Sequence, residues 1–121
     1  MKIEVIQKNG TDVAVIDSDS PIITDVQSAL DLMMTVKYET GCANIAISKT
    51  AIVNDFFVLS TGLAGEILQK FINYAIRVAI YGDFSQYTSK PLKDFIYESN
   101  KGRNVYFLAD AALAVDTLSK S

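Results

Sequence analysis

Short β-rich runs and longer helical periods follow one another along the chain. Two β-rich runs, predicted as strands at 2–7 and 12–17, flank Asn9 and Gly10. An Asn-Gly pair between such runs predicts a hairpin, because both residues tolerate the positive φ of a two-residue turn. We therefore expect a β-hairpin within the first 17 residues.

A helix is predicted at 25–39, where apolar residues recur every three or four positions. Thr24 and Gln27 have the spacing of a capping box at its start, in which each side chain satisfies a free backbone N–H. Gly41 can adopt the left-handed conformation that ends a helix. The hairpin is therefore expected to lead into an amphipathic helix.

A second, longer apolar stripe predicts a helix at 55–75, with Asp55 as its cap. Gly62 and Gly65 lie inside this period and weaken it. They indicate either a kink or a place where another backbone packs closely, and the helix is not expected to be continuous near Thr61. At residues 60–65 we favour close helix packing over a nucleotide-binding loop.

Further strands are predicted at 43–47, 77–81 and 105–108, and further helices at 91–100 and 111–119. The resulting order is β-β-α-β-α-β-α-β-α. Strands that alternate with helices pair in parallel through right-handed crossovers. The pattern predicts an α/β fold with a single mixed, mostly parallel sheet, an N-terminal β-hairpin and one domain over 1–121.

Composition narrows the classes of protein that fit. Half of the residues are hydrophobic and 21% are charged, which excludes a disordered chain. The formal net charge of −3 argues against a nucleic-acid-binding surface. The apolar runs are too short to span a bilayer, so we expect a cytoplasmic protein without membrane contact.

The chain contains no histidine and a single cysteine, Cys42. Histidine is the commonest general base and the commonest metal ligand, so its absence disfavours many catalytic and metal sites. No intramolecular disulfide can form, which suits a reducing compartment. We expect no cofactor and no metal, and we expect Cys42 to be a buried apolar residue.

A ligand site, if present, is expected at the carboxyl ends of the parallel strands, where loops and helix N-termini meet. Asp83, Ser85, Ser89 and Lys90 follow the strand at 77–81 and are the candidate ligand-binding residues. The aromatic residues near this segment would line a pocket or cover one edge of the core. They are Tyr81, Phe84, Tyr87 and Tyr97.

Three parts of the sequence carry some residues of a catalytic or nucleotide-binding site. Asp17 and Asp19 resemble the acidic pair of a phosphoacceptor domain, but the strand at 43–47 is followed by Ser-Lys-Thr with no acceptor Asp. Residues 60–65 contain two glycines but match neither common phosphate-binding motif. A Ser/Lys nucleophile arrangement around Ser89 would require a lysine whose pKa is lowered by its surroundings.

Several runs of the sequence resemble a bacterial family known as domain of unknown function 4180. They are Ile22 to Ala29, Asp55-Phe56-Phe57, Leu59 to Phe71, Gly82-Asp83-Phe84-Ser85 and Ser89 to Ile96. The likeness covers nearly the whole chain. It implies a bacterial origin and brings no catalytic residues with it.

A more distant likeness is to the STAS domain of anti-sigma-factor antagonists. Ser60-Thr61-Gly62-Leu63 is similar to the Ser-Ser-Gly-Leu of that family, in which a partner kinase phosphorylates the second hydroxyl residue. The resemblance implies Thr61 as the phospho-acceptor, with Ser60 beside it. Leu59 stands where the family has an Asp.

The sequence therefore leaves two hypotheses for the function. The first is a STAS-like regulatory or protein-interaction module, with a protein partner or a second copy of itself. The alternative is a small-molecule-binding protein or an enzyme that uses the strand-end crevice. Of these we favour the non-enzymatic module.

Overall fold

The computed structural model describes residues 1–120, and a five-stranded sheet lies at its centre. The first strand pairs antiparallel with the second, and the remaining neighbours pair in parallel. This confirms the predicted α/β class and the mixed, mostly parallel sheet. In spatial order the strands are β1 (Lys2–Lys8), β2 (Thr11–Asp17), β3 (Asn44–Ser48), β4 (Arg77–Tyr81) and β5 (Val105–Leu108).

Helices cover both faces of this sheet, because side chains along each strand alternate between two cores. The helices are α1 (Val26–Thr40), α2 (Leu63–Asn73), α3 (Lys90–Lys101) and α4 (Ala111–Ser119). Residues such as Ile45 and Ile47 enter the larger core with α1, α2 and α3, whereas Ala46 enters the smaller core beneath α4. The smaller core contains Ala46 and Ala79 from the sheet and Ala114 from α4.

The predicted turn and the predicted helix end are confirmed. Asn9 and Gly10 have φ values of 53° and 77°, as a two-residue hairpin turn requires. Gly41 has a φ of 71°, and its N–H donates to the carbonyl of Lys37. Cys42 is buried, as expected for a residue that behaves as a small apolar side chain.

The capping box of α1 lies one residue later than predicted. Asp25, rather than Thr24, is the N-cap, and its carboxylate accepts from the N–H of Ser28 at 2.8 Å. The hydroxyl of Ser28 in turn accepts from the N–H of Asp25 at 3.0 Å. Gln27 instead donates to Asp31 along the helix. Asp25 is the cap because its backbone is extended, with a φ of −159°.

The helix predicted at 55–75 is interrupted near Thr61, as expected, but the part before Thr61 is not the α-helix that was predicted. Two short 3₁₀ turns, Asn54–Phe57 and Leu59–Thr61, occupy that part, and α2 begins only at Leu63. A further 3₁₀ turn, Lys49–Ala51, precedes them. Gly62 separates the last turn from α2 with a left-handed φ of 77°. The apolar stripe misled the prediction because 3₁₀ turns also bury residues three positions apart, so the same spacing fits both structures.

The predicted close helix packing at the glycines is also wrong. A Cβ atom built on Gly62 or Gly65 would meet no other atom within 4 Å. The close approach in this fold lies instead at Gly82, where a Cβ would come within 2.8 Å of the Lys49 Cβ. Gly82 therefore lets the strand-end loop pack against the segment that follows β3.

Candidate functional site

Hydroxyl groups meet where β2 and β3 end, because parallel neighbours place their carboxyl ends at the same edge of the sheet. Ser48, the last residue of β3, is buried, and its hydroxyl accepts from the N–H of Ser18 at 3.4 Å. The Thr50 hydroxyl donates to the carbonyl of Ser18 at 2.7 Å and lies 3.2 Å from the Ser48 hydroxyl. These bonds hold the two loops together.

Tyr81 closes the same edge at the end of β4. Its hydroxyl donates to the carbonyl of Ile16 at 3.4 Å. Burial raises the pKa of Tyr81, the negative charge of Asp17 raises it further, and a hydrogen bond with Ser48 opposes both effects. Tyr81 is therefore a neutral hydrogen-bond donor that ties β4 to β2.

Lys49 and Asp83 lie near the loop that follows β4. The ammonium of Lys49 lies 4.7 Å from the centre of the Tyr87 ring. The carboxylate of Asp83 accepts from the Ser85 hydroxyl at 2.6 Å and from its N–H at 2.9 Å. These two bonds, with a smaller contribution from the charge of Lys49, hold the pKa of Asp83 below its ordinary value.

Aromatic rings connect this loop to the core. The rings of Phe57 and Tyr87 stack with centroids 5.3 Å apart, and Phe84 meets Phe107 edge-on at 5.6 Å. The Tyr87 hydroxyl is buried and has no hydrogen-bond partner among the described residues. Of the four aromatic residues predicted to line a pocket or cover a core edge, Phe84, Tyr87 and the largely exposed Tyr97 line a second pocket of about 450 Å³, whereas Tyr81 is the last residue of β4.

A pocket of about 450 Å³ opens between the 3₁₀ turns and the loop that leads into α3. We call it the strand-end pocket. Its floor is apolar, its rim carries hydroxyl and amide groups, and none of its lining side chains carries a charge at neutral pH. Its lining residues are Asn54, Phe57, Val58, Leu59, Ser60, Gln86, Tyr87, Thr88, Ser89, Pro91 and Leu92.

The predicted ligand-binding residues are spread over three places. Ser89 lines the strand-end pocket and caps α3, with its hydroxyl 3.5 Å from the N–H of Leu92. Asp83 and Ser85 bond to each other outside that pocket. Lys90 pairs with Asp94 at 2.6 Å on the exposed surface of α3. The structure therefore brings Ser89 to the pocket without the other three.

The two predicted phospho-acceptor residues have different surroundings. The Thr61 hydroxyl donates to the carbonyls of Asp55 at 3.0 Å and Val58 at 2.9 Å, and it accepts from the N–H of Leu63 at 3.2 Å. Ser60 is exposed and lines the strand-end pocket. Ser89, 29 positions later in the sequence, lines the same pocket.

Sequence reasoning missed most of the pocket wall. Phe57 and Val58 lie in a stretch whose period predicted a helix, so no side chain there was expected to face a cavity. Gln86 and Pro91 flank the predicted residues without a distinguishing motif. The one available signal was Gly62, whose position inside an apolar period marked a break in the helix.

Two further observations limit what the site can do. Within residues 1–120, no three His, Cys, Asp or Glu side chains are grouped so that they could hold a metal ion. Over the same residues, every helix is too short or too polar to cross a membrane.

Comparison with known proteins places the chain in a family. No curated protein and no solved structure matches it. The family model described as Domain of unknown function (DUF4180) matches residues 8–118, a stretch that includes all of the strand-end pocket. The chain therefore belongs to the DUF4180 family.

Proposed function

We propose that this protein is a regulatory protein-interaction module of STAS-like design, and that it binds an apolar segment of a partner protein in the strand-end pocket. The observation that carries the proposal is the chemistry of the pocket wall. Its apolar floor and uncharged rim suit the burial of a neutral segment, since no charged group has to be desolvated. Acid–base catalysis would instead need titratable groups that converge on one point.

Val58 is the residue on which this binding most depends. It lines the pocket and is 45% exposed, although it is a large apolar side chain. Covering it would remove apolar surface from water, which is the main driving force for association. The stacked rings of Phe57 and Tyr87 beside it offer a rigid surface for a partner side chain.

Ser60 and Thr61 support regulation of the same site. Phosphorylation of either hydroxyl would add nearly two negative charges at pH 7. At Ser60 these charges would enter the pocket wall and oppose the binding of an apolar segment. At Thr61 they would require the loss of two bonds to carbonyls, which would loosen the turn before α2.

A small neutral molecule is the second candidate ligand. The volume of about 450 Å³ lies in the range typical of small-molecule sites. The buried Tyr87 hydroxyl is the specific feature that favours it, because an unpartnered buried polar group is costly and a ligand could satisfy it. This alternative predicts thermal stabilisation by neutral compounds that carry a hydrogen-bond acceptor.

The test compares two substitutions of equally exposed residues. Val58→Asp places a charge in the pocket, whereas Ile72→Asp places one on α2 outside it, and both residues are 45% exposed. Affinity capture from a bacterial lysate is expected to retain a partner with the wild type and Ile72→Asp but to lose it with Val58→Asp. Equal retention by both variants would contradict a partner site at this pocket.

The small-molecule candidate is tested with the same variants by thermal shift. A ligand present at 100 times its dissociation constant stabilises the folded state by about 2.7 kcal/mol. We expect a stabilising compound to lose its effect with Val58→Asp and to keep it with Ile72→Asp. A compound that stabilises both variants equally binds elsewhere.

A further inference from the structure

The two edges of the sheet differ in how their outer backbone groups are satisfied. At the β5 edge, the Asn100 side chain accepts from the N–H of Phe107 at 2.8 Å and donates to its carbonyl at 3.1 Å. This amide takes the place of a neighbouring strand. At the opposite edge, β1 runs for seven residues and has no strand beyond it in the described chain.

The hairpin determines which backbone groups of β1 face outward. Lys8 and Thr11 flank the two-residue turn, so they share the hydrogen bond that closes it. Bonded and non-bonded pairs alternate along an antiparallel ladder, so the bonds to β2 fall at even-numbered residues. The N–H and carbonyl groups of Ile3, Val5 and Gln7 therefore point away from β2.

Exposed apolar side chains lie near the β1 edge on both faces of the sheet. Val5, in the middle of β1, is 45% exposed. On the other face, Asp116 of α4 pairs with Lys8 at 2.9 Å, which shows which side of the helix faces β1. Leu113 lies one turn earlier on that side and is 44% exposed. A strand added to β1 would cover both side chains.

The charges of β1 favour pairing with a copy of itself in one register. A two-fold axis at Val5 would place Lys2 opposite Lys8 of the second copy, which is repulsive. An axis at Ile6 instead places Glu4 opposite Lys8, twice, and pairs Val5 with Gln7 through their outward backbone groups. This second register satisfies both the charges and the hydrogen-bonding pattern.

We propose that β1 pairs antiparallel with β1 of a second copy of this chain, with Glu4 opposite Lys8 of that copy. The two sheets would then form one sheet of ten strands. The proposal is independent of the strand-end pocket. The contact is short, and interfaces under about 1,200 Å² are typically weak and transient. We therefore expect a dimer that dissociates on dilution.

Sedimentation velocity over a concentration series, from about 10 µM to 1 mM, tests the pairing. Val5→Pro removes an outward N–H but no bond to β2, so a folded monomer is expected at all concentrations. Val5→Thr keeps the N–H and is the matched control, which should still dimerise. Circular dichroism and the urea midpoint verify that both variants fold. A wild type that stays monomeric at 1 mM, or a folded Val5→Pro variant that still dimerises, would overturn the proposal.

A charge exchange tests the register and the identity of the partner. Glu4→Lys and Lys8→Glu each create like-charge pairs, so each alone should dimerise roughly tenfold more weakly than the wild type. A mixture of the two restores opposite charges at both positions, and it should dimerise nearly as well as the wild type. If the mixture dimerises no better than the separate variants, the proposed register is wrong.

Discussion

The backbone of Gly82 lies against the Lys49 side chain so closely that a methyl group at Gly82 would come within 2.8 Å of the Lys49 Cβ. The φ of Gly82 is 154°, a conformation that other residues rarely adopt. This contact joins the loop after β4 to the turn after β3. The ammonium of the same Lys49 lies 4.7 Å from the centre of the Tyr87 ring, and Tyr87 lines the strand-end pocket.

Gly82→Ala is expected to destabilise the fold by about 1–3 kcal/mol, because the new methyl group must displace a Cβ rather than a flexible side-chain end. Gly65→Ala is the matched control. It lies within α2 with nothing near its added methyl, so it should stabilise by roughly 0.5–1 kcal/mol. Urea unfolding measures both changes. Equal effects from the two substitutions would argue against the close contact at Gly82.

Asn100→Ala removes the side chain that satisfies both backbone groups of Phe107. We expect a loss of about 1–3 kcal/mol in the free energy of unfolding, because buried backbone groups are left unpaired. Asn73→Ala is the control, since Asn73 only accepts from Gln69 on an exposed part of α2. Hydrogen exchange should also show faster exchange of the Phe107 amide in Asn100→Ala alone.

Asp25→Ala is expected to destabilise the protein by about 1 kcal/mol, because the N-cap carboxylate and its bond to the Ser28 N–H are lost. Gln27→Ala should change stability by less than about 0.5 kcal/mol, as is usual for exposed positions. The two urea midpoints decide between the observed cap and the predicted one. A larger effect at Gln27 would restore the capping box assigned from the sequence.

Asp83 is expected to titrate below its ordinary pKa, because the Ser85 hydroxyl and N–H stabilise the carboxylate. Ser85→Ala removes the hydroxyl, so the pKa of Asp83 should rise towards 3.8, the value of an unperturbed Asp. The ionised Asp83 carboxylate stabilises the folded protein at pH values above the ordinary Asp pKa. This stabilisation is lost as the pH falls through the lower pKa that Asp83 has in the folded protein. NMR titration of the side-chain carboxyl carbon checks this. An unchanged Asp83 pKa in Ser85→Ala would exclude the hydroxyl as the cause.

Local signals predicted the fold well where one residue type meets one backbone requirement. Asn9 and Gly10 supply the two positive φ values of the turn, and Gly41 supplies the left-handed φ that ends α1. β5 and α4 have the predicted bounds. The one-residue shift at the start of α1 arose because Thr24, Asp25 and Ser28 all carry oxygens that can cap a helix. Spacing alone does not choose among them.

The pocket was less predictable, because it depends on contacts between distant segments. Ser89 and Ser60 line the same pocket, but Ser60 belongs to a 3₁₀ turn that ends at Gly62, in a stretch where the sequence predicted a helix. Lys90 was expected in the same crevice, and its exposed pairing with Asp94 is a local i to i+4 contact that competes with it. Packing between distant segments decides which side chains at the start of a helix face a cavity, and the local sequence does not show this.

The placement of α4 has a consequence for synthesis on the ribosome. α1, α2 and α3 pack on one face of the sheet, and each is made before the last strand. α4, which covers the opposite face, follows all five strands in the chain. Until Ala114, Val115 and Leu118 leave the exit tunnel, the nascent sheet has that side open to water. Folding is thus expected to finish only after these residues have been translated. Until then, the uncovered apolar face of the sheet is a surface that chaperones could bind.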